Sequence, residues 1–257
     1  MQCSIHSQSG DYIVQDDDYQ PSLFVLPQIS CKTYCIIDAS KGKSLYHKGD
    51  SEVREIASLT KIMTAYVSLQ LARELNLDIM KALFNVSENA ASTPGTTANL
   101  RAGQRVKIFD LLHALMLPSG NDAAVCLAEN FGDRLLKSRI NKNPNRAKIS
   151  TPNPEKLRET KVDLIVEQAA SPIAVFVKEM NRFVKVFHLK NTKFSNPHGL
   201  ADKGNRSTAF DIAMLAFGCL KDPNFAEIVN KQKYESVTYV RRSWILPRTQ
   251  VLQMQLT

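Results

Sequence analysis

Apolar positions between residues 31 and 235 follow two patterns: a short unbroken run near the beginning, and helical spacing over most of the rest. Thr33-Tyr34-Cys35-Ile36-Ile37 is the continuous apolar run expected of a buried strand. Asp38-Ala39-Ser40-Lys41-Gly42-Lys43 has turn chemistry, and Leu45-Tyr46 opens a return strand, so together they predict a β-hairpin. From Ser58 to Leu75, apolar residues at Ile62, Ala65, Tyr66, Leu69 and Ala72 predict a largely buried helix with Ser58 near its N-terminus. Further helices are expected over 108–117, 120–131, 172–187 and 208–220. Helices dominate up to residue 220, with strands at the beginning and room for others at the end. That order predicts an α+β fold, a helical cluster packed on an antiparallel sheet.

Residues 1–30 are polar, with Pro21 and Pro27 flanking a short apolar stretch, and read as an irregular lead-in. The Pro-, Asn- and Lys-rich stretch from Lys137 to about Pro154 has no apolar period, so a surface insertion is expected near 133–171, inside a domain spanning 31–235. No internal repeat is visible.

Composition adds limits. With 44% hydrophobic and 23% charged residues over 257 positions, the chain can bury a sizeable core. A net charge of +8 favours acidic partners, but the basic residues are spread out and lack a dense run beside aromatics, so no nucleic-acid partner is expected. The first residues carry neither a basic nor an apolar signal region, and no stretch of about 18 apolar residues occurs. The default expectation is a cytoplasmic chain without a membrane segment. The five cysteines then read as free thiols; Cys31 and Cys35 lack a second Cys/His pair at zinc spacing, so no metal is expected. Cys126 and Cys219 fall in apolar runs, as buried small hydrophobes do.

The sharpest chemical signal is Ala57-Ser58-Leu59-Thr60-Lys61. Residues three apart on a helix share a face, which places an amine beside a hydroxyl. A lysine held in a partly desolvated pocket can lose enough basicity to take the proton of a serine nucleophile. The bland alternative is that Ser58 caps the helix and Lys61 lies on its first-turn surface. Ser40-Lys41-Gly42-Lys43 has the same spacing in a turn, so one of the two is accidental. A second group, Leu117-Pro118-Ser119-Gly120-Asn121-Asp122, sets polar residues just ahead of an apolar helix, and Ser87-Glu88-Asn89 is its decoy. Ser119 and Asn121 are either a cap and a first-turn residue, or a proton relay and a ligand of both a substrate amide and Lys61.

Ser-x-x-Lys followed by Ser-x-Asn resembles the first two motifs of the penicillin-binding-protein and β-lactamase superfamily. The likeness is closest to the low-molecular-weight D-alanyl-D-alanine carboxypeptidases. It extends in order through Ile36-Ile37-Asp38-Ala39, Gly42-Lys43-Ser44-Leu45-Tyr46, Ser58-Leu59-Thr60-Lys61-Ile62-Met63-Thr64, Pro118-Ser119-Gly120-Asn121-Asp122-Ala123-Ala124, Met180-Asn181, Phe194-Ser195-Asn196-Pro197-His198-Gly199-Leu200 and Ser207-Thr208-Ala209-Phe210-Asp211. Gly120 favours the carboxypeptidase branch, and no Glu-x-x-Leu-Asn segment of the β-lactamases is present. The resemblance implies a β-lactamase/transpeptidase-like fold. It also implies a serine-type hydrolase acting through an acyl-enzyme on peptides ending in D-Ala-D-Ala, or captured by β-lactams. Ser58 is then the nucleophile, Lys61 the base, Ser119 the proton relay and Asn121 the substrate ligand, with no cofactor. His198 is implied to be a structural loop residue near the cleft, and Asp211 to cap or orient the helix it begins.

The third family motif, Lys-Thr/Ser-Gly, is missing. Arg248-Thr249-Gln250 is the nearest imitation, with a guanidinium for the ammonium and a side chain where Gly permits close approach. Residues 236–257 are therefore expected to be a divergent tail and the sheet to be incomplete at its C-terminal end. The chain is expected to be either a catalytically impaired binding protein of the same fold, or the product of an imperfect gene model in its tail, the second being preferred.

Overall fold

The computed structural model describes residues 29–142, 171–200, 203–242 and 245–255. Most of the expected lead-in and the centre of the expected insertion lie outside these residues. The predicted hairpin is present: β1 (Tyr34–Ile37) pairs antiparallel with β2 (Ser44–Lys48), and Asp38 closes the turn by accepting from the Ser40 amide and hydroxyl. β3 (Arg54–Glu55) leads through a 3-10 turn, Ala57–Leu59, into α1 (Thr60–Glu74). After it come β4 (Leu83–Asn85), α2 (Glu88–Ala91), β5 (Gln104–Lys107), α3 (Ile108–Met116) and α4 (Asn121–Lys142). The second half carries α5 (Pro172–Val186), β6 (Arg206–Ser207), α6 (Ala209–Leu220), α7 (Pro223–Val229), β7 (Lys233–Arg242) and β8 (Ile245–Gln255).

Each expected helix is found, with α4 running on to Lys142 and so including the first ten residues of the expected insertion. Caps explain several starts. Ser171 accepts from the Ala174 amide with Pro172 in the first turn of α5, and Thr208, not Asp211, caps α6 by accepting from the Asp211 amide. Asp211 instead accepts from the Asn191 amide and the Thr192 hydroxyl, holding the turn that precedes the loop 194–199.

α1 is the centre of the helical cluster and touches α3, α4, α5, α6 and α7. Met63, Val67 and Leu71 are fully buried, along with Ala65, Leu69 and Ala72, while Ile62 and Tyr66 of the predicted core stripe are only half-buried. A helix surrounded on nearly every side buries more than one stripe, so the core reaches past the predicted positions to Met63, Val67 and Leu71. Tyr66 meets the edges of Phe183 and Phe187, and Phe84 meets Phe131 in the same T-shaped manner.

The described strands form two two-stranded sheets, β1-β2 and β3-β6, and a four-stranded sheet in the order β4-β5-β7-β8, all antiparallel. The tail after residue 235 is thus part of a regular hairpin hydrogen-bonded to β5. Its first strand is seated by Tyr234, whose hydroxyl donates to Asp110 (2.7 Å) and whose ring stacks on buried His113 at 3.7 Å. Arg248-Thr249-Gln250 lies on β8 opposite Val240, Tyr239 and Thr238.

Candidate active site

Ser58 sits in the 3-10 turn ahead of α1 and is exposed, whereas Lys61 is only 2% exposed. The residue at the N-cap of α1 is Leu59, and no side-chain capping bond is made there, so the Ser58 hydroxyl is not spent as a cap. It faces Lys61 Nζ at 3.0 Å instead. Nζ also donates to the main-chain carbonyl of His198 at 2.9 Å. Desolvation lowers the Lys61 pKa from its ordinary 10.5 to about 8, against the opposing pull of the Asp122 carboxylate. An accessible hydroxyl and a buried amine of reduced basicity, one helical turn apart, have the arrangement that a nucleophile and its base require. The decoy at Ser40 is a different object: that hydroxyl is tied to Asp38 in an exposed turn.

The His198 carbonyl is held in place by main-chain bonds to three asparagines. Asn181 donates to the Phe194 carbonyl (2.8 Å) and accepts from its amide (3.0 Å), and Asn205 accepts from the Ser195 amide (2.9 Å). Asn196 accepts from the amides of Gly199 (2.7 Å) and His198 (3.2 Å). Thr64, one turn beyond Lys61, donates to the Pro197 carbonyl at 2.6 Å. His198 thus contributes its main chain to the site, while its ring nitrogen Nδ1 accepts from the Leu200 amide. Gly199, at φ +82, passes so near Ala57 that a Cβ there would lie 1.7 Å from the Ala57 carbonyl oxygen. Ala57 itself holds φ +39, a left-handed conformation that costs a non-glycine residue roughly 1–2 kcal/mol. The turn carrying Ser58 is thereby wedged between α1 and the loop.

Ser119 also holds a left-handed backbone (φ +55), its carbonyl accepting from the Thr96 hydroxyl at 2.6 Å. Its own hydroxyl is half-buried and uncommitted among the described residues. Asn121 departs from expectation. Its amide nitrogen donates to the Pro94 carbonyl (2.7 Å), with Gly95 at φ +93 pressed against it, and no hydrogen bond joins it to Lys61 among the described residues. The link from this segment to Lys61 is electrostatic and comes from the next residue, Asp122, which the motif reading passed over. The Ser87 decoy caps α2 and donates to Glu129.

Asp122 is fully buried and accepts from the amides of Ala98 (3.0 Å) and Leu100 (3.0 Å) and from the Thr97 hydroxyl (2.7 Å). It fastens the segment 96–100 beneath the Ser119 turn. Asp122→Asn keeps the shape but turns an NH2 toward groups that donate, and is expected to cost about 3 kcal/mol, read as a lower urea midpoint. A midpoint within error of the parent would show that the carboxylate is not the fastening.

No three His, Cys, Asp or Glu side chains converge to hold a metal among the described residues, and no helix there is long and apolar enough to cross a membrane. Cys126 and Cys219 are buried, with thiol pKa values pushed up by desolvation, as expected of core residues.

The sequence model of the D-alanyl-D-alanine carboxypeptidase family matches residues 20–134 and 165–256. The chain is 30% identical over 207 residues to the D-alanyl-D-alanine carboxypeptidase DacF of Bacillus subtilis, covering 80% of this chain and 40% of that one. It is 29% identical over 204 residues to the D-alanyl-D-alanine carboxypeptidase of Streptomyces sp. strain K15, covering 78% of this chain and 58% of that one. The chain thus spans well under two thirds of the length of these curated relatives. The crystal structure of the Streptomyces K15 DD-transpeptidase superimposes with a TM-score of 0.66 at 25% identity, covering 90% of this chain and 74% of that one. The α+β architecture is therefore the β-lactamase/transpeptidase-like fold that the motifs implied. With the sequence model matching over most of its length, the chain belongs to the D-alanyl-D-alanine carboxypeptidase family.

Proposed function

We propose that the chain is a serine-type D-Ala-D-Ala carboxypeptidase acting on peptidoglycan stem peptides through an acyl-enzyme. The observation that carries this reading is the 3.0 Å approach of Lys61 Nζ to Ser58 Oγ, with the Lys61 pKa lowered to about 8. Neutral Lys61 takes the Ser58 proton as Oγ adds to the penultimate D-Ala carbonyl carbon. The tetrahedral adduct then collapses, the C–N bond breaks, and the leaving amine of the terminal D-Ala receives a proton through the Ser119 hydroxyl. Water enters with Lys61 again as base and frees the shortened peptide. Asn121 Oδ1, which accepts no hydrogen bond among the described residues, is the atom left for a substrate N–H. A β-lactam follows the same first step and stops at the acyl-enzyme.

Incubation with a fluorescent penicillin is expected to label the chain covalently at Ser58. Ser58→Ala is expected to lose the label, as seen on a denaturing gel and by peptide mass. Equal labelling of the Ser58→Ala chain would remove Ser58 as the nucleophile, and no labelling of the parent would remove the acyl-enzyme reading.

A further inference from the structure

Part of the positive charge that looks diffuse in sequence gathers a few residues ahead of Ser58. An open pocket of about 670 Å³ is lined by Val53, Arg54, Glu55, Lys203 and Arg206, three cations and one carboxylate, with Glu52 a second carboxylate bonded to Arg54. Backbone pairing fixes the cluster, since β3 and β6 set Glu55 opposite Arg206 and Arg54 opposite Ser207. The Arg206 guanidinium is aimed by its Nε, which donates to the Lys203 carbonyl at 2.6 Å. Arg54 is oriented by its bond to Glu52, and its Nε is buried with no hydrogen-bond partner. Val53 is 51% exposed and adds an apolar wall.

β3 leads through Ile56 into the turn that carries Ser58, so Arg54, four residues earlier, lies within about 13 Å of the nucleophile along the chain. A peptide cut one residue from its C-terminus leaves only that residue on the departing side. A carboxylate held beyond the reach of that single residue can come only from the other side, two or three extended residues ahead of the scissile bond.

We infer that the Arg54, Lys203 and Arg206 pocket is a subsite for a carboxylate carried by the substrate peptide on the N-terminal side of the scissile bond. The inference rests on the acyl-transfer reading only for the placement of the peptide's C-terminal end at Ser58. A carboxylate suits the site because guanidinium groups present paired N–H donors in its plane, and because partly screened cations favour an anion without needing a closed cavity.

The test uses two fluorescein-labelled peptides ending in D-Ala-D-Ala, one with glutamate and one with glutamine three residues ahead of the scissile bond. Their affinities for the Ser58→Ala chain are read by fluorescence polarisation, so that turnover does not interfere. The glutamate peptide is expected to bind about tenfold more tightly at low salt, and the ratio to fall toward one at about 0.5 M salt. Arg206→Glu and Lys203→Glu, both at exposed positions, are each expected to bring the ratio to one or below. Equal affinities in the parent, a ratio untouched by both substitutions, or no binding of either peptide would overturn the subsite. The glutamate-to-glutamine ratio decides this inference, whereas penicillin labelling of the unmodified chain decides the acyl-transfer reading, so either can fail alone.

Discussion

Gly199→Ala is expected to reduce acylation of Ser58 by more than about 100-fold while the chain still folds. The added methyl would meet the Ala57 carbonyl oxygen at 1.7 Å and its carbon at 2.4 Å, both backbone atoms, with Thr60 Oγ1 at 2.9 Å behind them. Nothing flexible is available to yield, so the turn 57–59 or the loop 196–200 must move. If the turn moves, Ser58 Oγ leaves Lys61; if the loop moves, Lys61 loses the His198 carbonyl that aims it. A displacement of about 1 Å in such a pair is enough to cost two orders of magnitude in rate. The control is Gly103→Ala. Gly103 has nearly the same φ, +81, but nothing within 4 Å of the added methyl. That substitution pays only the left-handed backbone penalty of about 1 kcal/mol and is expected to leave acylation within twofold of the parent. Stopped-flow acylation by a chromogenic β-lactam, with circular dichroism to verify folding, distinguishes the two. Loss of activity in both variants, or in neither, would show that the contact between Gly199 and Ala57 does not position the nucleophile.

Much of this site was legible in the sequence because its proposed nucleophile and base are one helical turn apart, so local geometry alone brings Ser58 and Lys61 together. What separates that pair from Ser40 and Lys43 is burial of the lysine, and burial depends on segments far away in the chain. The partner that fixes Lys61 is a main-chain carbonyl, and a side-chain pattern carries no mark of it. The same holds for Asn121, whose amide is engaged by the Pro94 carbonyl and not by the expected lysine. Asp122 did carry a signal, being a charged residue one place into an apolar run, where only a multiply bonded carboxylate is tolerated. Among the elements, the long helices followed their apolar period, while β4 and β5, with three and four residues, are too short to show one. The hairpin of β7 and β8 is fixed by pairing with β5 and by the seating of Tyr234 on His113, contacts across more than a hundred residues that local propensity does not encode.

The lowered basicity of Lys61 links activity to stability through one side chain. With Lys61 as the proposed base, acylation requires the neutral amine, so its rate is expected to rise about tenfold per pH unit below an inflection near pH 8 and to level off above it. Asp122 opposes the lowering, so the inflection is expected to move to lower pH in Asp122→Asn, in the direction opposite to that of a general loss of structure. For stability, the native pKa of about 8 lies below the unfolded value of 10.5. Between those values the unfolded chain holds a proton that the native chain has released, so the contribution of Lys61 to stability improves as pH rises through the window. Below about pH 8 both states are charged, and the native state bears the full burden of a buried ammonium, which at about 1.36 kcal/mol per pKa unit amounts to about 3 kcal/mol. Lys61→Met relieves that burden but leaves the His198 carbonyl and the Ser58 hydroxyl without their partner. It is therefore expected to gain on the order of 1–3 kcal/mol at pH 7 while losing 100- to 10,000-fold in acylation. The gain is expected to shrink as pH approaches 10.5. Urea melts of parent and variant at pH 7 and pH 9.5, alongside acylation rates from pH 6 to 9.5, measure both halves. A pH-independent acylation rate would mean that the amine is not the base, and a Lys61→Met chain less stable than the parent at pH 7 would mean that the amine is not held against its charge.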